Sequence, residues 1–358
     1  MTDMDFQPPA RGVWRPLHRI RAGYPALLLI PVLYWFAFRG IDATARFSAM
    51  ARWDIASLGL LGVLNLFIVQ AMCLRWALIL RRSGHQVPFF RLVFYRLGAN
   101  AVSYLTPGPQ FGGEPLQVHW LSCSHGLPLD AAAASVAVDR LLELTANLCL
   151  LLLMGIVLLQ GHYFDSSAQI PILASIGLMG MAAAALCWVM ASGRTPLTRM
   201  ARFGTERFGL RGRGLSAVQF LERAEKQAAS ILNAPARVLL LYGACAGIQW
   251  VLMLSEFWFI YHVMGVSLSY MQLFALMGAA RLAFLLPLPG ALGALETGQL
   301  VVLTTLGLDP VSGMAACLTM RARDLILIGT GALESIRQFP HTRPRPALKP
   351  PHNDRNAT

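Results

Sequence analysis

Apolar residues occur in long runs along the chain, separated by shorter polar and basic segments. Several of these runs approach the roughly 20 residues that an α-helix needs to cross a bilayer. The pattern is typical of an all-α polytopic membrane protein. It predicts six transmembrane helices, at residues 22–38, 56–80, 131–160, 170–192, 237–263 and 311–336.

Two further apolar segments, 89–121 and 270–305, are each interrupted by a cluster of prolines and glycines. Proline removes a backbone donor and clashes with the preceding helical turn, so neither segment forms one continuous helix. Irregular backbone at membrane depth persists only when it is buried in protein or lines a wet cavity. We therefore predict two re-entrant hairpins, each made of two short arms that do not cross the membrane.

The two broken segments also match each other in sequence. When Pro107-Gly108 is aligned with Pro289-Gly290, a glutamate follows seven residues after the proline in both copies. About 25 residues further on, each copy has an arginine with an acid three positions later. The matching residues are Glu114, Arg140 and Glu143 in the first copy and Glu296, Arg321 and Asp324 in the second. We interpret this as an internal repeat over about 89–160 and 270–336.

Composition supports a membrane protein, because 56% of the residues are hydrophobic and only 13% are charged. The net charge of +12 would suggest nucleic acid in a soluble protein. Here the basic residues lie mainly between apolar runs, so membrane orientation explains them and we expect no nucleic-acid partner. The six cysteines show no CxxC or zinc spacing. We expect them to be small buried hydrophobic residues, and we expect no cofactor and no metal.

The positive-inside rule predicts the orientation. Basic residues place four segments in the cytoplasm: the N-terminal flank 1–21, the loop 81–91, the segment 193–236 and a disordered tail 337–358. Residues 22–336 then form one domain of the inner membrane. Three spans separate the hairpins, so the second hairpin enters from the opposite face and the repeat is inverted. If each hairpin instead crosses once, the repeats are parallel and the tail lies outside.

Charged residues at the breaks are the first candidates for function. Glu114 and Glu296 lie in apolar surroundings, where ionisable groups are costly and face the protein interior or an aqueous cavity. Broken helix ends expose free backbone groups that can hold a polar head group, which adds Gly112, Gly113 and Gly290 as candidates. The alternative is that each glutamate only caps its own hairpin.

Arginines inside the spans are the second group of candidates. Arg140 lies on the order of 14 Å along its predicted helix, too deep for easy contact with water. A guanidinium suits a lipid phosphate, so Arg140 and Arg321 are predicted to bind an anionic group. The alternative is that they form buried ion pairs that join helices to hairpins. The acids predicted for such pairs are Asp139, Glu143 and Asp324.

Four further polar positions complete the set. Asn100 and Arg281 lie within the hairpins and are additional substrate-binding candidates. Arg75 lies near the end of a predicted span, and we expect it to extend to the membrane surface without a functional role. We expect Glu256 to reach the outer interface. The segment 193–236 forms either an amphipathic helix on anionic lipids or a solvated loop.

The elements Asn100, Pro107-Gly108, Gly112-Gly113-Glu114-Pro115, Asp139-Arg140 and Pro289-Gly290 to Glu296 resemble a known family. It is the lysylphosphatidylglycerol synthase transmembrane, or flippase-like, family of bacterial and archaeal membrane proteins. The resemblance covers about residues 20–335 and implies lipid translocation or lipid handling. It also implies Glu114, Arg140, Glu296 and Arg321 as pathway residues. Bifunctional members carry a soluble aminoacyltransferase domain, whereas this chain ends in a short tail, so aminoacyl-lipid synthesis is not expected.

Four classes of function follow from these observations, and the last of them is a partner or scaffold of a cell-envelope complex. The first is a flippase-like transporter that moves a phospholipid or isoprenoid-type lipid between leaflets, with anionic membrane lipids as its partners. The second is a membrane-embedded enzyme that acts on a lipid carrier, for which the sequence shows no catalytic constellation. The third is a transporter of small solutes or ions on the same scaffold. The sequence leaves open whether the protein forms a homo-oligomer.

Overall fold

The computed structural model describes residues 51–106, 112–160, 195–207, 213–286 and 288–338, with single positions between 174 and 192. Within these ranges it has ten α-helices, one short 3₁₀ turn and no strand. The all-α prediction is confirmed for this part of the chain. The predicted first span, the N-terminal flank, most of the fourth span and nearly all of the tail lie outside the described residues.

The ten helices are numbered here in chain order. They are α1 (Ile55–Arg82), α2 (Phe89–Leu105), α3 (Glu114–His125), α4 (Leu129–Gln160), α5 (Pro196–Arg207), α6 (Arg213–Leu232), α7 (Ala236–Val263), α8 (Tyr270–Leu285), α9 (Ala294–Thr305) and α10 (Pro310–Gln338). The 3₁₀ turn Pro289–Ala291 lies between α8 and α9.

Local sequence explains where several helices begin and end. The Asp54 carboxylate accepts a hydrogen bond from the Ser57 N–H and caps α1. Ser269 and Gln272 form a reciprocal capping box at the start of α8. Gly126 ends α3 in the left-handed conformation, which glycine adopts without steric cost.

Three described helices are long and apolar enough to cross a membrane. They are α1, residues Leu129–Val157 of α4, and α7, with mean hydropathies of 2.0, 1.8 and 1.8. Helix α10 occupies the predicted sixth span and has 29 residues, but several charged side chains lower its hydropathy. The described residues are therefore all-helical and include membrane-spanning candidates, and the predicted count of six spans stays a prediction.

Both predicted breaks are present in the structure. Helices α2 and α3 are separated at 106–113, and α8 and α9 at 286–293. Each broken pair follows a long helix and precedes another, with lengths of 28, 17, 12 and 32 residues for α1–α4 and 28, 16, 12 and 29 for α7–α10. The same order of four helices thus occurs twice. Each set begins with a helix, α1 or α7, that lies outside the predicted repeats 89–160 and 270–336.

The two sets of helices pack against each other. Helices α1 and α7 run antiparallel, since Asn65 contacts Glu256 at 2.7 Å while Arg75, further along α1, contacts the earlier residue Gln249 at 3.2 Å. Helix α2 packs on α10, and α8 packs on α4. The largest apolar core, which includes Phe257, Leu276 and Met320, joins α7, α8, α9 and α10.

Candidate functional site

Charged side chains gather where the two helix sets meet. We call them the charged seam, which contains six arginines and six carboxylates: Arg75, Arg96, Arg140, Arg281, Arg321, Arg323, Glu114, Asp139, Glu143, Glu256, Glu296 and Asp324. All are buried or half-buried. Charges removed from water need close partners, because desolvation otherwise outweighs their attraction.

Glu114 joins the first hairpin to α4. It is the first residue of α3, and its carboxylate accepts a hydrogen bond from the Gly112 N–H at 2.7 Å. The same carboxylate lies 2.9 Å from the Arg140 Nε on α4. Glu114 therefore caps its own hairpin and also forms an ion pair with a predicted site residue. The geometry brings together two residues that the sequence separates by 26 positions.

Arg140 belongs to a larger ion-pair network on α4. Its NH1 donates to Glu143 at 3.0 Å, and Glu143 also accepts from the Arg96 NH2 at 2.9 Å. Asp139 binds the Nε of Arg75 at 2.8 Å and also pairs with Arg96. Arg140 thus pairs with Glu143 on the same helix, and two arginines on α1 and α2 extend the network.

Two members of this network were misjudged or missed from the sequence. The prediction that Arg75 extends to the membrane surface is wrong, because its side chain is 1% exposed and paired with Asp139. No role was predicted for Arg96, which is fully buried in the structure. The sequence did contain a signal for Arg96. Helix α4 carries two acids, Asp139 and Glu143, beside Arg140, so a second cation in an apolar hairpin arm is expected to pair with one of them.

Arg321 occupies the corresponding position at the second hairpin. Its Nε and NH2 bind both oxygens of Glu296, at 2.7 and 3.1 Å. Its other donors reach the carbonyls of Gly290 and Ala291, at 2.6 and 3.1 Å, and the Tyr104 hydroxyl at 2.7 Å. These five hydrogen bonds equal the five N–H donors of a guanidinium. Because Tyr104 is on α2, the first hairpin contacts the ion pair of the second.

Arg323 organises the remaining acids of α10 and α7. It pairs with Glu256, which also accepts from the Asn65 amide at 2.7 Å, and with Asp324 at 2.8 Å. The prediction that Glu256 reaches the outer interface is wrong, because the residue is 3% exposed. Asp324 pairs with its neighbour Arg323, so the pattern of Arg140 and Glu143 is not reproduced by Arg321 and Asp324.

Arg281 differs from the other arginines of the seam. Its Cζ lies 4.6 Å from the centre of the Trp250 ring, and its NH2 lies 3.4 Å from the Met253 sulfur. Within the described part of the chain, it has no carboxylate at ion-pair distance and its buried Nε has no hydrogen-bond partner. Arg281 is thus a half-buried cation that lies over the face of the Trp250 ring and has an Nε donor without a hydrogen-bond partner among the described residues.

The predicted glycines lie where the chain packs closely. A Cβ on Gly113 would overlap the backbone of Ala99, and one on Gly290 would overlap the Tyr104 ring. Gly112 has a φ of 145°, which side chains rarely permit. These glycines allow the hairpins to form, and their contact with a substrate stays a prediction. Asn100 lies half-buried on α2, and its role is likewise untested.

A glutamine in each hairpin was missed from the sequence. Gln117 and Gln299 each follow the hairpin glutamate by three residues and are 1% and 0% exposed. Gln299 accepts from the Tyr261 hydroxyl at 2.6 Å and donates to the Leu276 carbonyl at 2.8 Å, which ties α9 to α7 and α8. The shared Glu-x-x-Gln pattern was visible in the aligned repeats and was the available signal.

Comparison with known proteins places the chain in a family. Residues 25–331 match the family model of the lysylphosphatidylglycerol synthase TM region. The chain belongs to this family. It is also similar to a UPF0104 membrane protein of Methanothermobacter thermautotrophicus, with 26% identity over 295 residues that cover 77% of this chain and 83% of the relative. No solved structure matches the chain.

Membership confirms the resemblance read from the hairpin motifs and identifies the chain as a membrane protein. The matched region is the transmembrane part of the family's namesake, and no catalytic domain is matched. Among the described residues, no group of three histidine, cysteine, aspartate or glutamate side chains is placed to hold a metal ion. The expectations of no metal, no cofactor and no enzymatic activity stay predictions.

Proposed function

We propose that this protein is a flippase-like transporter of the inner membrane that moves a phospholipid or an isoprenoid-type lipid between leaflets. The observation that carries the proposal is the charged seam, which lies between two broken hairpins in a membrane protein. Ionisable groups at such a position are expensive and typically mark a path for a polar substrate. Family membership supports a role linked to membrane lipids.

The arrangement of the helices supports an inverted repeat. Helices α1 and α7 hold the same place in the two sets and run antiparallel, as the contacts of Asn65 and Arg75 show. The packing of α2 on α10 is mirrored by that of α8 on α4. We therefore propose a two-fold axis in the membrane plane that exchanges the two sets. In transporters of this kind, substrate binds at the repeat interface near the midplane.

Four arginines of the seam, Arg75, Arg96, Arg140 and Arg281, have a buried donor without a hydrogen-bond partner among the described residues. Arg75 and Arg96 are fully buried, whereas Arg140 and Arg281 are half-buried, so these two are the better placed to receive an anionic head group. Arg140 is in ion-pair contact with Glu143. A guanidinium forms directed, charge-assisted hydrogen bonds with phosphate oxygens. We propose that these two arginines receive the phosphate of the transported lipid.

An apolar groove beside Arg281 suits the lipid chain. The groove has a volume of ≈ 460 Å³ and is lined by Leu60, Leu64, Val251, Leu254, Ser255, Trp258, Phe259 and Leu273 from α1, α7 and α8. Leu254 lies one helical turn after Trp250, whose ring contacts Arg281. We propose that a lipid whose phosphate binds Arg281 places its apolar chain in this groove.

Leaflet exchange in reconstituted vesicles tests the proposal. The wild-type protein would be compared with Arg281→Gln, Arg140→Gln and Glu114→Gln in vesicles that carry head-group-labelled anionic or neutral lipids. Arg223→Gln is the matched control, because its side chain is 66% exposed on α6, away from the seam. Exchange above protein-free vesicles, lost in the seam variants and kept in the control, would support the proposal. Exchange unaffected by all three seam variants would refute the assigned path.

We also propose that both termini and the segment around α5 and α6 lie in the cytoplasm. Helix α1 ends in Arg81 and Arg82, and α5 and α6 carry exposed basic residues on the chain between spans. This distribution fits the positive-inside rule. Labelling of single introduced cysteines by a membrane-impermeant reagent, at Ser83 and at Ser269, tests it. Labelling of Ser83 from the outside of intact cells would contradict the orientation.

A further inference from the structure

Helix α5 carries an apolar stripe that no other described helix covers. Leu197, Met200 and Phe203 are 47%, 71% and 71% exposed. At 100° per residue these three side chains lie within one 120° sector of the helix. Exposed apolar stripes of this kind mark a binding surface, because scattered single residues would not share one face.

The opposite face of α5 is fixed to α6. Glu225 of α6 accepts hydrogen bonds from the N–H groups of Leu197 and Thr198, at 2.9 and 3.0 Å, and from the Thr198 hydroxyl at 2.5 Å. Arg202 pairs with Glu222 at 3.1 Å. Because these contacts hold Thr198 inward, the stripe necessarily points away from α6. Its exposure is set by the docking of the two helices.

Helix α6 in turn lies at the end of the membrane-spanning helices. Its residues Ala228, Ile231 and Leu232 pack with Ile79 and Tyr242. Ile79 lies three residues before the end of α1, and Tyr242 lies six residues after the start of α7. At 1.5 Å per residue, both positions are within about 10 Å of the helix ends. The α5–α6 pair therefore lies at the level where the spans leave the bilayer.

Two basic side chains lie beside the stripe. Arg199 and Arg207 of α5 are exposed, and Glu206 is the one acidic residue of this helix. Basic residues beside an apolar helix face are attracted to anionic lipids, while the apolar residues enter the head-group region. We propose that the Leu197–Met200–Phe203 face of α5 lies on the surface of the leaflet at this end of the spans and binds its anionic head groups.

This proposal needs only that α1, α4 and α7 cross the bilayer, and it does not depend on lipid transport. Spin labels at two positions of the full-length protein test it, with the native cysteines replaced. Phe203 lies in the stripe, and Glu206 is exposed outside it. In bilayer nanodiscs, a label at 203 should be relaxed more by oxygen than by an aqueous nickel complex, and a label at 206 should show the reverse. Added phosphatidylglycerol should increase the difference.

Two outcomes would overturn the proposal. A label at 203 that is as accessible to nickel as the label at 206 would show a solvated helix. A label at 203 shielded from both reagents would show a protein cover, from another part of this chain or a second copy. Replacing Arg199 and Arg207 with glutamine should abolish the effect of phosphatidylglycerol, and an unchanged effect would refute the role of charge.

A second measurement keeps the native cysteines. A photoreactive benzoylphenylalanine at position 203 of the otherwise wild-type chain should crosslink to lipid, whereas one at position 206 should not. Equal lipid crosslinking at both positions, or a protein crosslink at 203, would contradict the proposal.

Discussion

The two hairpins form the same glutamate–arginine pair in different surroundings. At the second hairpin, Arg321 makes five hydrogen bonds, two to Glu296, and is 3% exposed. At the first hairpin, Arg140 approaches Glu114 at 2.9 Å and shares Glu143 with Arg96, and its NH2 has no partner among the described residues. Arg321 uses all its donors within the protein, whereas Arg140 shares Glu143 with two further arginines, Arg75 and Arg96.

The difference comes from the neighbours that each pair has. The Tyr104 hydroxyl, from the other helix set, accepts a hydrogen bond from Arg321. The aligned position at the second hairpin is Leu286, which has no hydroxyl. The carbonyls of Gly290 and Ala291 complete the second site, and the aligned residues 108 and 109 lie outside the described residues. An internal repeat can thus keep a pair of residues and change what the pair does. We expect Arg321 to anchor the fold and Arg140 to exchange partners.

Removal of each arginine should separate these roles. Arg321→Gln leaves Glu296 without its only cation among the described residues, so the free energy of unfolding should fall by about 3–5 kcal/mol. Arg140→Gln should cost less, because Glu143 keeps Arg96 and Glu114 keeps the Gly112 N–H. Reversible unfolding in detergent measures both. Equal losses in the two variants would show that the sites do not differ.

The contact of α2 with α10 brings Tyr104 to Arg321, and a glycine of α10 makes this contact close. A Cβ on Gly331 would overlap the Leu97 carbonyl, so Gly331→Ala should destabilise the protein by about 2–3 kcal/mol. Gly329→Ala on the same helix is the matched control, because nothing lies within 4 Å of its Cβ position. Thermal unfolding of the two variants measures the difference. A loss of stability in the control alone would contradict the packing of α2 on α10.

Long, regular features of the fold were predictable from the sequence. The apolar run at 56–80 became α1, and the proline–glycine clusters became breaks at 106–113 and 286–293. The effect of a proline on a helix and the length of an apolar run are both local properties, so they can be read directly from the sequence. The packing of α2 on α10 was not predicted, since it depends on glycine positions that acquire meaning only when two distant helices meet.

The candidate site was predictable in part for a related reason. Glu114 and Arg140 were found because the repeat marks them. Arg75 and Glu256 were assigned to the membrane surface because a single span shows only how near a charge lies to its end. In the structure both are buried by partners from another helix, Asp139 and Arg323. The absence of an opposite charge nearby in the sequence is therefore no evidence that a charged side chain is exposed.

Tyr104 offers a finer test of the anchored site. Tyr104→Phe removes the hydrogen bond to Arg321 and keeps the ring that covers Gly290. Hydrogen bonds to charged groups contribute about 1.5–3 kcal/mol, so we expect the free energy of unfolding to fall by about 1.5 kcal/mol. In a double-mutant cycle, the loss should disappear when Arg321 is already glutamine. A loss that persists in that background would show that the hydroxyl serves another partner.

The smallest change in stability is expected at Arg281, although its effect on transport should be large. Arg281 has no carboxylate at ion-pair distance among the described residues. Arg281→Gln loses the contact with the Trp250 ring, but it also removes the cost of burying a charge, and the two effects offset each other. We expect a change below about 1 kcal/mol. Arg323→Gln is the matched control, since it leaves both Glu256 and Asp324 without their arginine and should cost about 3–5 kcal/mol.

Detergent unfolding and leaflet exchange should be measured on the same preparations of these two variants. If Arg281 receives the lipid phosphate, its variant keeps wild-type stability and loses exchange. If Arg281 is a structural cation, its variant unfolds as readily as Arg323→Gln, and any loss of exchange follows from the loss of fold. Because a substrate site keeps donors unused until the substrate arrives, the residue that contributes least to stability is the one we expect to contribute most to transport.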